Sequence, residues 1–129
     1  MEAKLQNKRP KHLDLLKIKL PLPGIVSILH RISGVLLFFP GSPLLLSGLQ
    51  SLLESEQSYA ALQDTLLSPI IKITLLLFSW FFLHHLCAGV RHLLLDLHYG
   101  TTLEKTRFSS KLVLVAGVLL TAFMGTVIW

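Results

Sequence analysis

An all-α membrane protein with three transmembrane helices and a cytoplasmic amino-terminal segment is the fold class this sequence predicts, on three observations. First, 52% of its 129 residues are apolar and the mean hydropathy is +0.64. That is more oily surface than a domain of this size can hide in a core of its own. Second, three apolar stretches, near 24–49, 69–97 and 111–129, are each long enough for a hydrocarbon layer roughly 30 Å thick, which takes about 20 helical residues. Third, charge is distributed by position. Six of the twelve Lys and Arg residues (Lys4, Lys8, Arg9, Lys11, Lys17, Lys19) precede the first apolar run, so the net charge of +5 reads as membrane topology and not as a nucleic-acid surface.

The chain divides into a basic segment, residues 1–23, and a three-helix anchor, residues 24–129. In the first part Leu13, Leu15, Leu16, Ile18 and Leu20 interleave with Asp14, Lys17 and Lys19. This mixed pattern suits a segment at the headgroup boundary or a basic tail, and a full span follows it where a cleaved signal would end in small residues. Pro40, Gly41, Ser42 and Pro43 interrupt the first span. In a membrane, neighbouring helices satisfy the freed carbonyls, so a kink is expected there, with irregular helix beyond Phe39. The first loop carries Glu54, Glu56 and Asp64 with no Lys or Arg, whereas the second carries Lys105 and Arg107 against Glu104. By the positive-inside rule the amino terminus and second loop are cytoplasmic, and the first loop and carboxyl terminus face outward. Lys72, at the outer end of the second span, is the exception and is expected to snorkel. The single cysteine, Cys87, excludes an internal disulfide.

Ionisable residues inside membrane spans are costly and mark candidate sites. The third span has none beyond Lys111, and its expected role is packing, with Gly117 and Gly125 permitting close approach. The second holds His84, His85, Arg91, His92 and Asp96. At 100° per residue His85, Gly89, His92 and Asp96 form one stripe. Imidazole ligates iron, glycine leaves room for a flat ring, and cationic or donor groups nearer the helix end meet propionates. This stripe therefore reads as one wall of a haem site, with His85 as axial ligand, His92 and Arg91 near the propionates and Gly89 against the ring. A histidine that only bonds a neighbouring carbonyl is the competing reading for any one of them. His84 points about 100° away from His85, toward packing or a partner.

On the first span Ser27, Arg31 and Gly34 form a second stripe. A hydroxyl and a guanidinium on one face address the carbonyl oxygens of a small ring, and His30 beside them is placed to relay protons. This is what a quinone headgroup requires, although Arg31 alone reads equally well as snorkelling to lipid phosphate. Both stripes occupy the cytoplasmic half. Counting 1.5 Å per residue from the expected helix ends puts His85 deeper than His30, so a second axial ligand is expected from another chain.

These residues resemble the cytochrome b membrane-anchor subunit of bacterial succinate dehydrogenase. The likeness covers nearly the whole chain: Arg9-Pro10 with Leu13-Asp14-Leu15, then Ser27 to Gly34 (SILHRISG) in the manner of SxxHRxSG, then His85 to His92 (HLCAGVRH) in the manner of HxxxGxRH, then Asp96. The resemblance implies a haem b shared with a second anchor subunit, His85 supplying one axial ligand and a histidine of that partner the other. Arg31 joins the propionate shell. It further implies a ubiquinone site on Ser27 and Arg31, completed by a tyrosine of the partner and by the iron–sulfur subunit docked on the cytoplasmic face. A flavoprotein subunit would oxidise succinate, in a complex held in the bacterial inner membrane, so this chain would perform no succinate chemistry itself. Pro40, Pro43 and the doubled His84-His85 depart from the pattern, and the last leaves His84 open as the ligand. Two other readings are an anchor of a quinol:fumarate reductase, which runs the electrons the other way, and a cofactor-free membrane scaffold whose histidines bond partner helices.

Overall fold

The computed structural model describes residues 19–129; the basic and apolar positions read between Lys4 and Ile18 lie outside the described residues. Every regular element described is helical. Helix α1 (Leu22–Leu36) passes through a π-helical turn (Leu37–Gly41) into α2 (Ser42–Glu54); α3 (Glu56–Leu67), α4 (Pro69–Asp96) and α5 (Leu103–Ile128) follow. Three lengths are long and apolar enough to cross a membrane: Leu22–Glu54, Pro69–Asp96 and Leu103–Ile128.

Prolines start α1, α2 and α4, at first-turn positions where a missing N–H costs nothing. The Pro40 region does not break the helix. Proline cannot donate to the carbonyl of Leu36 four residues back, and the π register, pairing five residues apart, passes over the gap. Gly41 makes this possible: a Cβ there would stand 3.2 Å from the Leu36 carbonyl oxygen and 3.3 Å from the Phe78 ring. Beyond the turn α2 is regular, so the expected irregularity is confined to Leu37–Gly41.

The first loop, between the first and second spans, is itself helical. Ser55 caps α3 by accepting from the Ser58 amide at 3.1 Å. Helix α4 ends in a Schellman motif: His98 adopts positive φ (64°), its amide bonds Leu95 O at 2.9 Å, and the Tyr99 amide bonds Leu94 O at 2.9 Å. Helix α5 begins at Leu103, two turns before Lys111. At the far ends of α4 and α5 the ammonium of Lys72 sits 5.5 Å over the Trp129 ring, a cation–π contact that accommodates the one basic residue against the charge rule.

Helix α4 is the centre of the bundle, packed most extensively on α5 and next on α1. One residue from each of α1, α4 and α5, namely Val26, Ala88 and Val113, forms the buried apolar layer, with Cys87 and Leu114 against it. Apart from Gly117, the other buried residues among those described are polar: Ser33, His84, Arg91 and Ser110. Large apolar side chains such as Phe38, Leu45, Ile70, Leu93 and Phe123 point outward. An inside-out distribution of this kind suits helices whose solvent is lipid or partner subunits.

Candidate functional site

The inner face of α1 is set by Val26 and Ser33, both essentially inaccessible. His30, four residues after Val26 and three before Ser33, lies on that face, so its imidazole points at α4. There it stacks on His85, with ring centroids 4.1 Å apart and planes 13° apart. Its other neighbour is His92, at 5.1 Å and a tilt of 51°. Gly89 opens the space between, since a Cβ there would come within 3.4 Å of His30 Nε2. The members of the α4 stripe His85, Gly89 and His92 thus meet one residue of α1. Asp96, the fourth, is exposed.

His85 is held from one side only. Its Nδ1 lies 3.0 Å from the carbonyl oxygen of His30 and 3.1 Å from Ser33 Oγ. A carbonyl oxygen can only accept, so Nδ1 carries the proton in this contact and Nε2 keeps the lone pair. Ser33 in turn donates to the same carbonyl at 2.9 Å. Gly34 forms the floor, since a Cβ there would stand 3.0 Å from His85 Cε1. Because Gly34 is also the third member of the Ser27 and Arg31 stripe, that stripe borders the His85 ring. Ser27 is half-buried and Arg31 exposed on the flank of α1.

The depth expected for His30 needs correcting. His30 and His85 are at one level, since their rings stack. From Leu22 to His30 is about 12 Å of helix and from His85 to Asp96 about 17 Å, so α4 reaches roughly one turn further than α1 on this side. Expected helix ends cannot reveal such an offset. The face-to-face stack also keeps both rings off one metal, because an axial imidazole binds through an in-plane lone pair.

Arg91 turns the other way. It is 5% exposed, and its Nε donates to Ser109 Oγ at 3.0 Å while Nη2 donates to the Thr106 carbonyl at 3.3 Å. Both partners are on α5. His92 is the next residue, and 100° of helix rotation suffices to place the two on different faces. The guanidinium therefore fastens α4 to α5 and does not join the histidine group.

His84 shares this second face. It is fully buried, stacked on Trp80 at 5.4 Å and 19°, with its Nδ1 3.8 Å from where a Gly117 Cβ would be. Neither ring nitrogen has a hydrogen-bond partner. Enclosed in the α4–α5 seam, it faces away from the stacked His30 and His85 rings. The packing expected of Gly117 and Gly125 is present, the first against His84 and the second against Leu76.

Sequence reasoning passed over Ser33 and Trp80. The signal for Ser33 was available: it lies three residues after His30 on the inner face, where a hydroxyl finds the carbonyl one turn back. Among the described residues no three His, Cys, Asp or Glu side chains gather to hold a bare metal ion. A haem iron asks less of this chain, since the porphyrin brings four of its donors.

Residues 6–124 match the family described as succinate dehydrogenase/fumarate reductase transmembrane subunit. The chain is 35% identical over 124 residues to the succinate dehydrogenase cytochrome b556 subunit of Rickettsia prowazekii, covering 96% of each. It is 37% identical over 123 residues to that of Coxiella burnetii, covering 95% of this chain and 98% of the relative. To that of Paracoccus denitrificans it is 32% identical over 121 residues, 94% and 92% of the two chains. The succinate dehydrogenase/fumarate reductase transmembrane subunits are therefore the family to which this chain belongs.

Proposed function

We propose that the chain is the haem b-binding anchor of a succinate:quinone oxidoreductase, helping to form the ubiquinone site and to pass electrons from the iron–sulfur subunit to quinone. The observation that supports this best is the state of His85: Nδ1 is occupied by the His30 carbonyl at 3.0 Å, and Nε2 is left as the metal-binding nitrogen. Carbonyl-oriented imidazole is the usual form of a histidine ligand. The relatives' name, cytochrome b556, agrees with that chemistry. The haem would supply one-electron redox chemistry when bound, between His85 and a histidine of a second anchor subunit.

Around it this chain's own groups have separable tasks. Gly89 leaves the ring room. His92 and Arg31 are the propionate partners. Arg91 contributes from behind, through its hold on α5. Ser27 and Arg31 supply donors to the two carbonyls of a quinone headgroup, and His30, one residue from Arg31 and 5.1 Å from His92, is the relay by which protons reach it. The amino terminus and the Lys105 loop face the cytoplasm, where the flavoprotein and iron–sulfur subunits dock, and the Trp129 end faces the periplasm across the inner membrane. Residues 1–23 are the cytoplasmic or interfacial basic segment, of which 1–18 lie outside the described residues, and 24–129 the anchor.

A reduced-minus-oxidised spectrum of the purified membrane complex tests the cofactor. A b-type band is expected; its absence returns the chain to the scaffold reading. For the quinone site, Ser27→Ala and Arg31→Leu should depress quinone reduction while succinate oxidation with a dye acceptor survives. Equal loss in both assays would make the two residues structural.

A further inference from the structure

We propose that Ser33 is a positioning residue for the His85 ligand, fixing the tilt of its imidazole and the electron density at Nε2 through the hydroxyl, while the His30 carbonyl sets the tautomer. The inference rests on the proposed haem site and concerns a residue to which that proposal assigns no role. Ser33 is 1% exposed, so its hydroxyl must find partners within the protein. It has two, and they are the two ends of one contact: the His30 carbonyl at 2.9 Å and His85 Nδ1 at 3.1 Å. With its own proton given to the carbonyl, the oxygen is left to accept from Nδ1–H, which also donates to that carbonyl at 3.0 Å. The three atoms close a triangle in which the imidazole proton is shared between two oxygens on α1.

A single acceptor would let the ring pivot about one bond. Two acceptors on successive turns of a rigid helix, with the Gly34 floor 3.0 Å from Cε1 at its Cβ position, leave one orientation. The same pair of acceptors draws the Nδ1 proton outward and makes Nε2 more electron-rich, which favours the ferric over the ferrous state of a bound iron. The hydroxyl does this without touching the metal, and no other side chain among the described residues bonds His85.

The test is a redox titration with low-temperature electron paramagnetic resonance on the intact purified complex. Ser33→Ala removes only an oxygen and is expected to assemble, to hold its haem about tenfold less tightly, in line with losses seen when an outer-shell partner is removed, and to show an upward-shifted midpoint potential with altered ferric g values. Ser33→Thr keeps a hydroxyl that bonds the carbonyl one turn back and should restore the wild-type potential and spectrum. An unchanged potential and spectrum in Ser33→Ala would overturn the proposal. So would an equal shift in Ser33→Ala and Ser33→Thr, or failure of Ser33→Ala to assemble, since either assigns Ser33 to packing. A wild-type complex without haem would sink the cofactor reading itself, whereas a haem-replete Ser33→Ala with unmoved properties sinks only the role of Ser33.

Discussion

His84 and His85 are adjacent in the chain and share almost nothing else. His85 faces α1, where a carbonyl and a hydroxyl hold one nitrogen and leave the other free. His84 faces α5 with both nitrogens buried and bare. The rotation of 100° between neighbouring helical residues makes the difference: one imidazole is held at Nδ1 by α1, as the proposed ligand requires, and the other fills volume beside Trp80 and Gly117. Polar residues at membrane depth are thus not all alike. Hydrogen-bonding state, more than residue type, separates the two.

The two histidines should differ most in their effect on the haem. His85→Ala is expected to abolish the haem band, and His84→Leu to keep it; the opposite spectra would exchange their roles. Next comes the seam that His84 occupies. Arg91 makes two charge-assisted hydrogen bonds to α5, each worth about 1.5–3 kcal/mol. Arg91→Lys retains a buried charge but not the planar fork, so it should lower the thermal midpoint of the complex more than Arg91→Met does. A smaller loss with Lys than with Met would show that charge alone, without the fork geometry, holds the helices together.

Smaller effects come from the two glycines that floor the histidines. At Gly34 a methyl would meet His85 at 3.0 Å, whereas at Gly117 the nearest atom of His84 is an ordinary 3.7 Å away. Gly34→Ala is therefore expected to cost about 1–3 kcal/mol through overpacking and to disturb the haem spectrum, while Gly117→Ala leaves the spectrum intact. Matching spectra for the two variants would refute the tight seat for His85. Least of all, His84→Leu should change stability by less than about 1 kcal/mol or raise it, because it removes two unsatisfied polar atoms in favour of an apolar side chain of similar size. A drop in the thermal midpoint on differential scanning calorimetry would mean that the imidazole has a partner in the assembled complex.

Much of the site was legible before any coordinates. The stripe His85, Gly89, His92 converges on α1 as helical periodicity requires, and the doubled proline motif is passed without ending the helix. Arg91 was less legible: its spacing from His85 is six residues, 240° around the helix, so only its neighbour His92 belongs to the stripe. The helix α3 escaped notice because its polar, short sequence carries little periodic signal, and its cap, Ser55, is a local cue easily lost in a loop.

Three spans, the family signatures on the first two, and the sets of residues that share a helical face all follow from the sequence alone. Those properties depend on local periodicity and on the cost of placing charge in hydrocarbon. It took the packed bundle to establish that α4 projects a turn beyond α1, that His30 and His85 are level, that Arg91 belongs to α5, and that Ser33 reaches His85. Each depends on how one helix slides and rotates against another, and that is set by packing at Val26, Ala88 and Val113 between residues far apart in the chain.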